Sequence, residues 1–205
     1  MENLANIFVR ATFIDNMIFA YFLGMCSYLA VSKTVKTSIG LGVAVAFVLL
    51  VTVPINYLIN AYLLSPGALA RLFEGGAHID LGYLSFIVFI AVVAAVVQLL
   101  EMIIEKYTPA LYNQLGIFLP LIAVNCAIMG ASLFMQEREY NSIAETFAFA
   151  LGSGLGWLLA IAGVAAIREK LATANIPAPL RGVGITFIVT GLMAISFMSF
   201  LGISI

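Results

Sequence analysis

The chain is poor in charged residues. Only 9% of its 205 residues are Asp, Glu, Lys or Arg, whereas a soluble domain has about 25%. Such a chain cannot cover a folded surface with charges that face water, which excludes a soluble enzyme and a disordered tail. Nine basic residues against ten acidic ones give a formal net charge of −1, so the basic field that attracts nucleic acid is also lacking.

The chain also lacks a nucleotide-binding fingerprint. No Gly-x-Gly-x-x-Gly motif opens a helix after a strand pattern. We therefore expect this chain to bind neither NADH nor flavin, and to contain no complete active site and no catalytic residue of its own.

The chain is correspondingly rich in hydrophobic residues. They make up 63% of the chain, and the mean hydropathy is +1.14. A membrane helix needs about 20 mostly apolar residues, and such runs predict an all-α integral membrane protein with six transmembrane helices in a single membrane domain, 1–205. The predicted spans are Leu4–Val31, Ser38–Leu63, Tyr83–Lys106, Ala110–Met135, Ile143–Ala166 and Leu180–Ile203.

Basic residues are divided unequally between the two sides of the predicted membrane. The side of the N-terminus has Arg10, Arg71 and Arg138. The opposite side has Lys33, Lys36, Lys106, Arg168, Lys170 and Arg181. The positive-inside rule places the richer side in the cytoplasm, so both termini are predicted to face outward.

An internal repeat is indicated by the two cysteines and by two short motifs. Cys26 and Cys126 stand about half a chain apart, and Gly-Leu-Gly occurs at 40–42 and at 154–156, in the second predicted span of each half. This pattern predicts two three-helix repeats, about 1–106 and 107–205. Because three is odd, the second must be inverted, and inverted repeats place a functional site near the midplane of the membrane.

Helix-breaking residues stand just before each cysteine. Counted from Lys33 and from Glu137, Cys26 and Cys126 lie about 10 Å and about 16 Å inside the membrane at 1.5 Å per residue. Gly24 precedes Cys26, and Pro120 and Asn125 precede Cys126. Proline frees a backbone carbonyl within a helix, so helices 1 and 4 are predicted to be broken near the midplane, with these three residues supporting the site.

The cysteines are open to several interpretations. They could be small apolar residues in a packed helix, they could form a disulfide, or their thiolates could hold iron. A 2Fe-2S cluster needs four Cys ligands, and this chain has only two. A cluster at Cys26 and Cys126 would therefore need two more from a partner chain or a second copy.

Two acids fall inside predicted spans, where charges are functional candidates by default. Glu101 lies five residues before Lys106, close to the predicted cytoplasmic end, and could form an entry point for a cation. It could equally be an interfacial or capping acid. Asp15 is a second candidate for a cation pathway, and the alternative is that it pairs with the neighbouring base Arg10.

Several segments together carry a family pattern. They are Phe8-Val9-Arg10-Ala11, Asp15-Asn16-Met17, Phe22-Leu23-Gly24-Met25-Cys26, Leu99-Leu100-Glu101-Met102, Leu115–Leu121, Asn125-Cys126-Ala127 and Leu180–Ile188. As a set they resemble the E subunit of the sodium-translocating NADH:quinone oxidoreductases (Na(+)-NQR), which is related to the A subunit of the Rnf electron-transport complex. The stretch Ser65–Ala77 is longer than the family pattern.

The resemblance implies a function. The chain would be a multi-pass subunit of a sodium-pumping NADH:ubiquinone oxidoreductase in the bacterial cell inner membrane, with both termini periplasmic. Cys26 and Cys126 would ligate a 2Fe-2S cluster shared with the similar, oppositely oriented D subunit. Electrons would arrive from NADH through the F subunit and leave to a covalent flavin on the C subunit, in a complex that also contains a B subunit. Glu101 would match an acid associated with uptake of Na+.

Three alternatives remain beside this interpretation. The first is an electron-transfer protein of the type of the Rnf A subunit. The second is a stand-alone inverted-repeat cation transporter without a metal, its cavity lined by Asp15, Asn16, Glu101 and Asn125. The third is a structural membrane scaffold whose cysteines only pack.

Overall fold

The computed structural model describes residues 4–64, 82–107, 122–123, 125–140 and 142–202. The regular structure of these residues is helical. The α-helices are α1 (Leu4–Val9), α2 (Met25–Val31), α3 (Val35–Ile59), α4 (Ser85–Tyr107), α5 (Cys126–Glu137), α6 (Ile143–Leu171) and α7 (Val183–Met198). π-Helical turns extend α1 over Arg10–Ile14 and α3 over Asn60–Leu64, and short 3-10 turns cover Gly82–Leu84, Ala178–Leu180 and Ser199–Gly202.

Long apolar helices make this a multi-pass membrane protein. Within the described residues, three helices are long and apolar enough to cross a membrane, namely Val35–Leu64, Ser85–Tyr107 and Ile143–Leu171. They correspond to the second, third and fifth predicted spans, so the prediction of an all-helical membrane protein is confirmed. The total of six spans stays a prediction, and the loop Ser65–Ala77 lies outside the described residues.

The first apolar segment is interrupted. The π-helical turn after α1 ends at Ile14, and the backbone turns through 15–24 before α2 begins at Met25. Within that stretch Phe22 has a φ of 57° and Gly24 a φ of 82°, the left-handed region that a right-handed helix does not use. The predicted break in helix 1 is therefore present, immediately before Cys26.

The fourth apolar segment is described only in part. Asn125 is extended, with φ −72° and ψ 117°, and α5 begins at Cys126. The earlier part of the segment, including Pro120, lies outside the described residues, so its predicted role in the break stays a prediction.

Helices α3 and α6 pack antiparallel at the centre. A Cβ added at Gly42 of α3 would overlap the side chain of Leu158 of α6, and one added at Gly154 of α6 would lie 2.9 Å from Ala46 of α3. From the first contact to the second, the residue number rises by four in α3 and falls by four in α6, so the two helices run in opposite directions. The two contacts are also reciprocal. Gly42 and Gly154 each belong to a Gly-Leu-Gly motif. Gly42 faces Leu158, four residues after Gly154, and Gly154 faces Ala46, four residues after Gly42.

The two pieces of the interrupted segment lie along α6 and run in its direction. Thr12 Oγ1 donates to the carbonyl of Gly152 at 3.2 Å, and Arg168 Nη1 donates to the carbonyl of Leu29 at 3.0 Å. Thr12 of the first piece contacts Gly152, and Leu29 of the second piece contacts Arg168, so both pieces run parallel to α6. Helices α1 and α2 are therefore two parts of one interrupted segment, and the interruption lies beside the middle of α6.

Helix α4 packs on the others through a single stripe. Its buried residues, Ser85, Phe89, Val93 and Val97, recur every four positions. The other faces expose large apolar side chains such as Ile87, which suits a helix whose outer faces contact lipid or another membrane subunit.

Candidate functional site

The starts of α2 and α5 lie side by side, although they are far apart in the sequence. Asn125 Nδ2 donates to Ser27 Oγ at 3.1 Å. A Cβ on Gly24 would lie 2.7 Å from Asn125 Oδ1 and 3.1 Å from the Cβ of Ala127. Cys26 directly precedes Ser27, and Cys126 stands between Asn125 and Ala127, so the structure brings the two predicted ligand-bearing segments into direct contact. We call this contact the cysteine junction.

From the cysteine junction the two half-helices run in opposite directions. Helix α2 runs toward Arg168 near the C-terminal end of α6, as described above. On α5, Ser132 Oγ accepts a hydrogen bond of 2.8 Å from Asn56 Nδ2. Asn56 lies in the last turn of α3, and α3 is antiparallel to α6, so α5 runs toward the other end of the molecule.

Both thiols are at the surface of the chain. Cys26 and Cys126 are free and exposed, whereas their neighbours Ser27, Asn125 and Ala127 are buried. The two sulfurs do not form a disulfide, whereas packing and cluster ligation stay open as interpretations. Each exposed thiol thus lies next to buried residues that join the two segments.

A buried amide holds the broken backbone before α2. Asn16 Nδ2 donates to the carbonyls of Thr12 at 3.0 Å and Gly156 at 2.9 Å, and Asn16 Oδ1 accepts from the N–H groups of Ile18 at 3.0 Å and Phe19 at 3.3 Å. One side chain thus satisfies backbone groups that a continuous helix would have paired, which matters where water cannot replace them. The sequence interpretation had placed Asn16 only in a hypothetical cation cavity.

Trp157 of α6 packs against the cysteine junction from the buried side. Its side chain is fully buried, and a Cβ on Gly24 would lie 2.8 Å from Trp157 Nε1. That nitrogen has no hydrogen-bond partner among the described residues. The signal in the sequence that could have found Trp157 is its place directly after the Gly-Leu-Gly motif 154–156.

The chain matches known proteins over nearly its whole length. Residues 4–204 match a family described as "Rnf-Nqr subunit, membrane protein". The chain belongs to the Rnf-Nqr family. Three relatives are each named as the E subunit of the Na(+)-translocating NADH-quinone reductase: those of Psychromonas ingrahamii (58% identical), Idiomarina loihiensis (57%) and Klebsiella pneumoniae (58%), each aligned over 205 residues and 100% of both chains.

These matches confirm the predicted resemblance to the E subunit. The relatives of this Rnf-Nqr chain are subunits of the Na(+)-translocating NADH-quinone reductase, which is an oxidoreductase complex. Family membership also agrees with the membrane helices described above.

Asp15 of this Rnf-Nqr chain is part of an ion cluster. Its Oδ2 lies 2.7 Å from Arg138 Nη2 and 3.1 Å from Arg10 Nε, and its carboxylate side chain is only 12% exposed. The pairing with Arg10 is the alternative that the sequence left open, and Arg138 adds a bond from the end of α5. The carboxylate of Asp15 therefore has two cationic partners. A role of Asp15 in a cation pathway stays a prediction.

Arg138 remains charged in this cluster. Burial of the side chain lowers its pKa, but hydrogen bonds and charge interactions with Tyr140 and Asp15 outweigh burial and raise the pKa above the ordinary value for arginine. The guanidinium also lies 5.4 Å from the ring centroid of Phe149, which is within reach of a cation–π interaction. Sequence reasoning used Arg138 only to count charge by side.

Glu101 lies on α4, one turn beyond Val97 on the stripe that packs inward, and it is half-buried. It stands near the C-terminal end of the helix, which ends at Tyr107. Its role in cation uptake stays a prediction.

Proposed function

We propose that this chain is a membrane subunit of a sodium-translocating NADH:ubiquinone oxidoreductase and carries electrons across the bacterial inner membrane through a 2Fe-2S cluster. The observation that carries the proposal is the cysteine junction, where two exposed thiols stand on half-helices that meet within the membrane. The names of the relatives support the identity of the complex.

The two thiols fit half of the ligand set of such a cluster. A 2Fe-2S cluster takes four Cys ligands and supplies a carrier of one electron at a time. Cys26 and Cys126 provide two ligands, and in our proposal the similar D subunit provides the other two. Because both thiols are exposed, a partner can reach them without any rearrangement of the core.

The residues around the thiols favour an anionic ligand and hold the two ligand-bearing segments at a fixed spacing. Cys126 stands at the start of α5, where the positive end of the helix dipole favours negative charge. The hydrogen bond between Asn125 and Ser27 is buried, so it fixes the spacing of the two segments. Ligands held by packing and buried hydrogen bonds give a cluster a defined environment, which sets its potential.

The depth of the junction suits transfer across the membrane coupled to Na+. Trp157 stands at the middle of α6, the helix over Ile143–Leu171, and contacts the junction there. A negative charge brought into a low-dielectric interior favours a compensating cation nearby. In our proposal Na+ follows the electron, with Glu101 and Asp15 as candidates for the cation pathway.

The proposal includes six crossings arranged as two inverted halves, with both termini in the periplasm. The reciprocal contacts of the Gly-Leu-Gly motifs and the opposite directions of α2 and α5 support the inversion. The names of the relatives favour the quinone reductase over a protein of the type of the Rnf A subunit. The stand-alone transporter is less favoured, because Asn16 and Asn125 use their amides on backbone and on Ser27.

The test is iron and acid-labile sulfide in the purified complex carrying Cys26→Ser or Cys126→Ser. Each variant removes one ligand, so we expect loss of the two irons and two sulfides of one cluster, together with NADH-to-quinone turnover. Ala30→Ser on α2 and Leu133→Ala on α5 are matched controls, since both residues are exposed. They should retain the iron and the turnover.

Unchanged iron and turnover in both cysteine variants would contradict the proposal. The cysteines would then serve packing alone. The stand-alone transporter would become the leading hypothesis, to be tested by Na+ uptake into liposomes containing only this chain.

A further inference from the structure

A basic pocket lies at the far end of α2 from the cysteine junction. Its volume is about 310 Å³. It is lined by Lys33, Arg168, Leu171, Ala172, Ile176, Arg181, Gly182 and Ile185. Three of these residues are cationic and none is acidic, so a strong positive charge is concentrated in a small volume.

No acid from the surrounding sequence offsets this charge. The segment 163–202, which supplies most of the lining, contains a single acid, Glu169. Glu169 Oε1 accepts a hydrogen bond of 2.8 Å from the backbone N–H of Val35, so it caps the start of α3. Like charges held close together repel, and an anionic ligand removes that repulsion.

The pocket stands where the apolar helices end. Helix α6 ends at Leu171 and α7 begins at Val183, and both Leu171 and Ile185 line the pocket. The lining thus combines aliphatic and cationic side chains. This combination occurs at the level where lipid headgroups meet acyl chains.

Arg168 is already oriented. Its Nη1 donates to the carbonyl of Leu29 at 3.0 Å and to Ser32 Oγ at 2.6 Å. A guanidinium has five N–H donors, and these two bonds use only one of its nitrogens. The remaining donors have no partner among the described residues, so a ligand in the pocket can use them without further ordering of the side chain.

We propose that this pocket binds the phosphate of an anionic phospholipid, with one acyl chain against Leu171 and Ile185. Basic pockets between transmembrane helices are suited to anionic headgroups. Inorganic phosphate has the same charge but no chain to cover Leu171 and Ile185. Since Arg168 also holds the end of α2, the lipid would stand at the base of the half-helix that carries Cys26.

The test is native mass spectrometry of the purified complex titrated with phosphatidylglycerol, phosphatidylcholine or inorganic phosphate. The variant Lys33→Gln/Arg181→Gln removes two cations from the pocket. We expect it to bind one phosphatidylglycerol fewer than the unaltered complex, or to bind that one at least tenfold more weakly. Lys36→Gln/Lys170→Gln makes the same change of charge at two exposed residues outside the lining, and it should bind as the unaltered complex does.

Three results would overturn the proposal. These are equal binding of phosphatidylglycerol by the pocket variant and the unaltered complex, an equal loss in the control variant, or no preference of the unaltered complex for phosphatidylglycerol over phosphatidylcholine and inorganic phosphate. Thermal unfolding in detergent without added lipid checks that the pocket variant is folded. Iron content is a separate readout, so failure here leaves the cluster proposal untouched.

Discussion

The two cysteine-bearing half-helices meet at one point but are held there by different means. Helix α2 follows Gly24, which has a left-handed backbone conformation. No side chain caps the start of α2. Helix α5 follows Asn125, whose side chain accepts from the N–H of Ala127. The first depends on the absence of a side chain and the second on the presence of one. Equivalent positions in two opposed segments can therefore have unequal sensitivity to substitution.

Gly24→Ala should have the largest effect on this comparison. The left-handed backbone costs about 1–2 kcal/mol for a residue with a Cβ. The added methyl would also lie 2.7 Å from Asn125 Oδ1 and 2.8 Å from Trp157 Nε1, and overpacking costs about 1–3 kcal/mol more. We expect the free energy of unfolding of the full chain, measured by SDS titration in detergent micelles, to fall by about 3 kcal/mol.

Gly191→Ala is the control for an added methyl. It lies within α7, and a Cβ there has nothing within 4 Å, so its stability should stay within about 1 kcal/mol of the original. Equal losses at Gly24 and Gly191 would show that close packing does not hold the start of α2.

Asn125→Ala should have the next largest effect. It removes the cap of α5, worth about 1 kcal/mol, and it leaves the buried Ser27 without its donor from Asn125. The sum is about 2 kcal/mol in the same unfolding measurement. Ser142→Ala is matched to it, since Ser142 caps α6 from a less buried position, and it should cost about 0.5–1 kcal/mol. If the two variants lose the same stability, the bond to Ser27 contributes nothing.

Arg138→Gln should have a smaller effect at the other end of α5. It removes the bond of 2.7 Å to Asp15, a partly buried ion pair between groups that are 26% and 12% exposed, and we expect a loss of about 1.5 kcal/mol. Arg10→Gln removes a pair with the same carboxylate from a side chain that is 53% exposed, so its loss should lie below about 1 kcal/mol. The difference between the two free energies of unfolding is the readout, and the opposite order would mean that Asp15 depends on α1 rather than on α5.

The lengths of the long helices could be predicted because a membrane sets them. Helix α3 was predicted from Ser38 and begins at Val35, and α6 was predicted to end at Ala166 and ends at Leu171. The added residues are polar or charged as well as apolar, such as Arg168. Hydropathy identifies only the part of a helix that lies in lipid, whereas backbone hydrogen bonding continues past it.

The candidate site could be predicted in its residues but not in its contacts. The spacing of the cysteines and the nearby breakers pointed to one location, and the structure does place α2 and α5 together. The bonds at the junction and around it join residues 98, 123 and 140 positions apart, namely Asn125 with Ser27, Arg138 with Asp15 and Asn16 with Gly156. A single sequence shows that such residues are polar, but it does not show which of them become neighbours.

The order of synthesis gives these long-range bonds a further consequence. Thr12 and Asn16 bond to carbonyls that follow 140 residues later in the chain. At about 5–20 residues per second, the ribosome completes those partners on the order of ten seconds after the first segment. Neither Leu4–Ile14 nor Met25–Val31 is long enough to span a bilayer by itself. The hydrogen bonds that hold this segment against α6 can therefore form only after α6 has been synthesised.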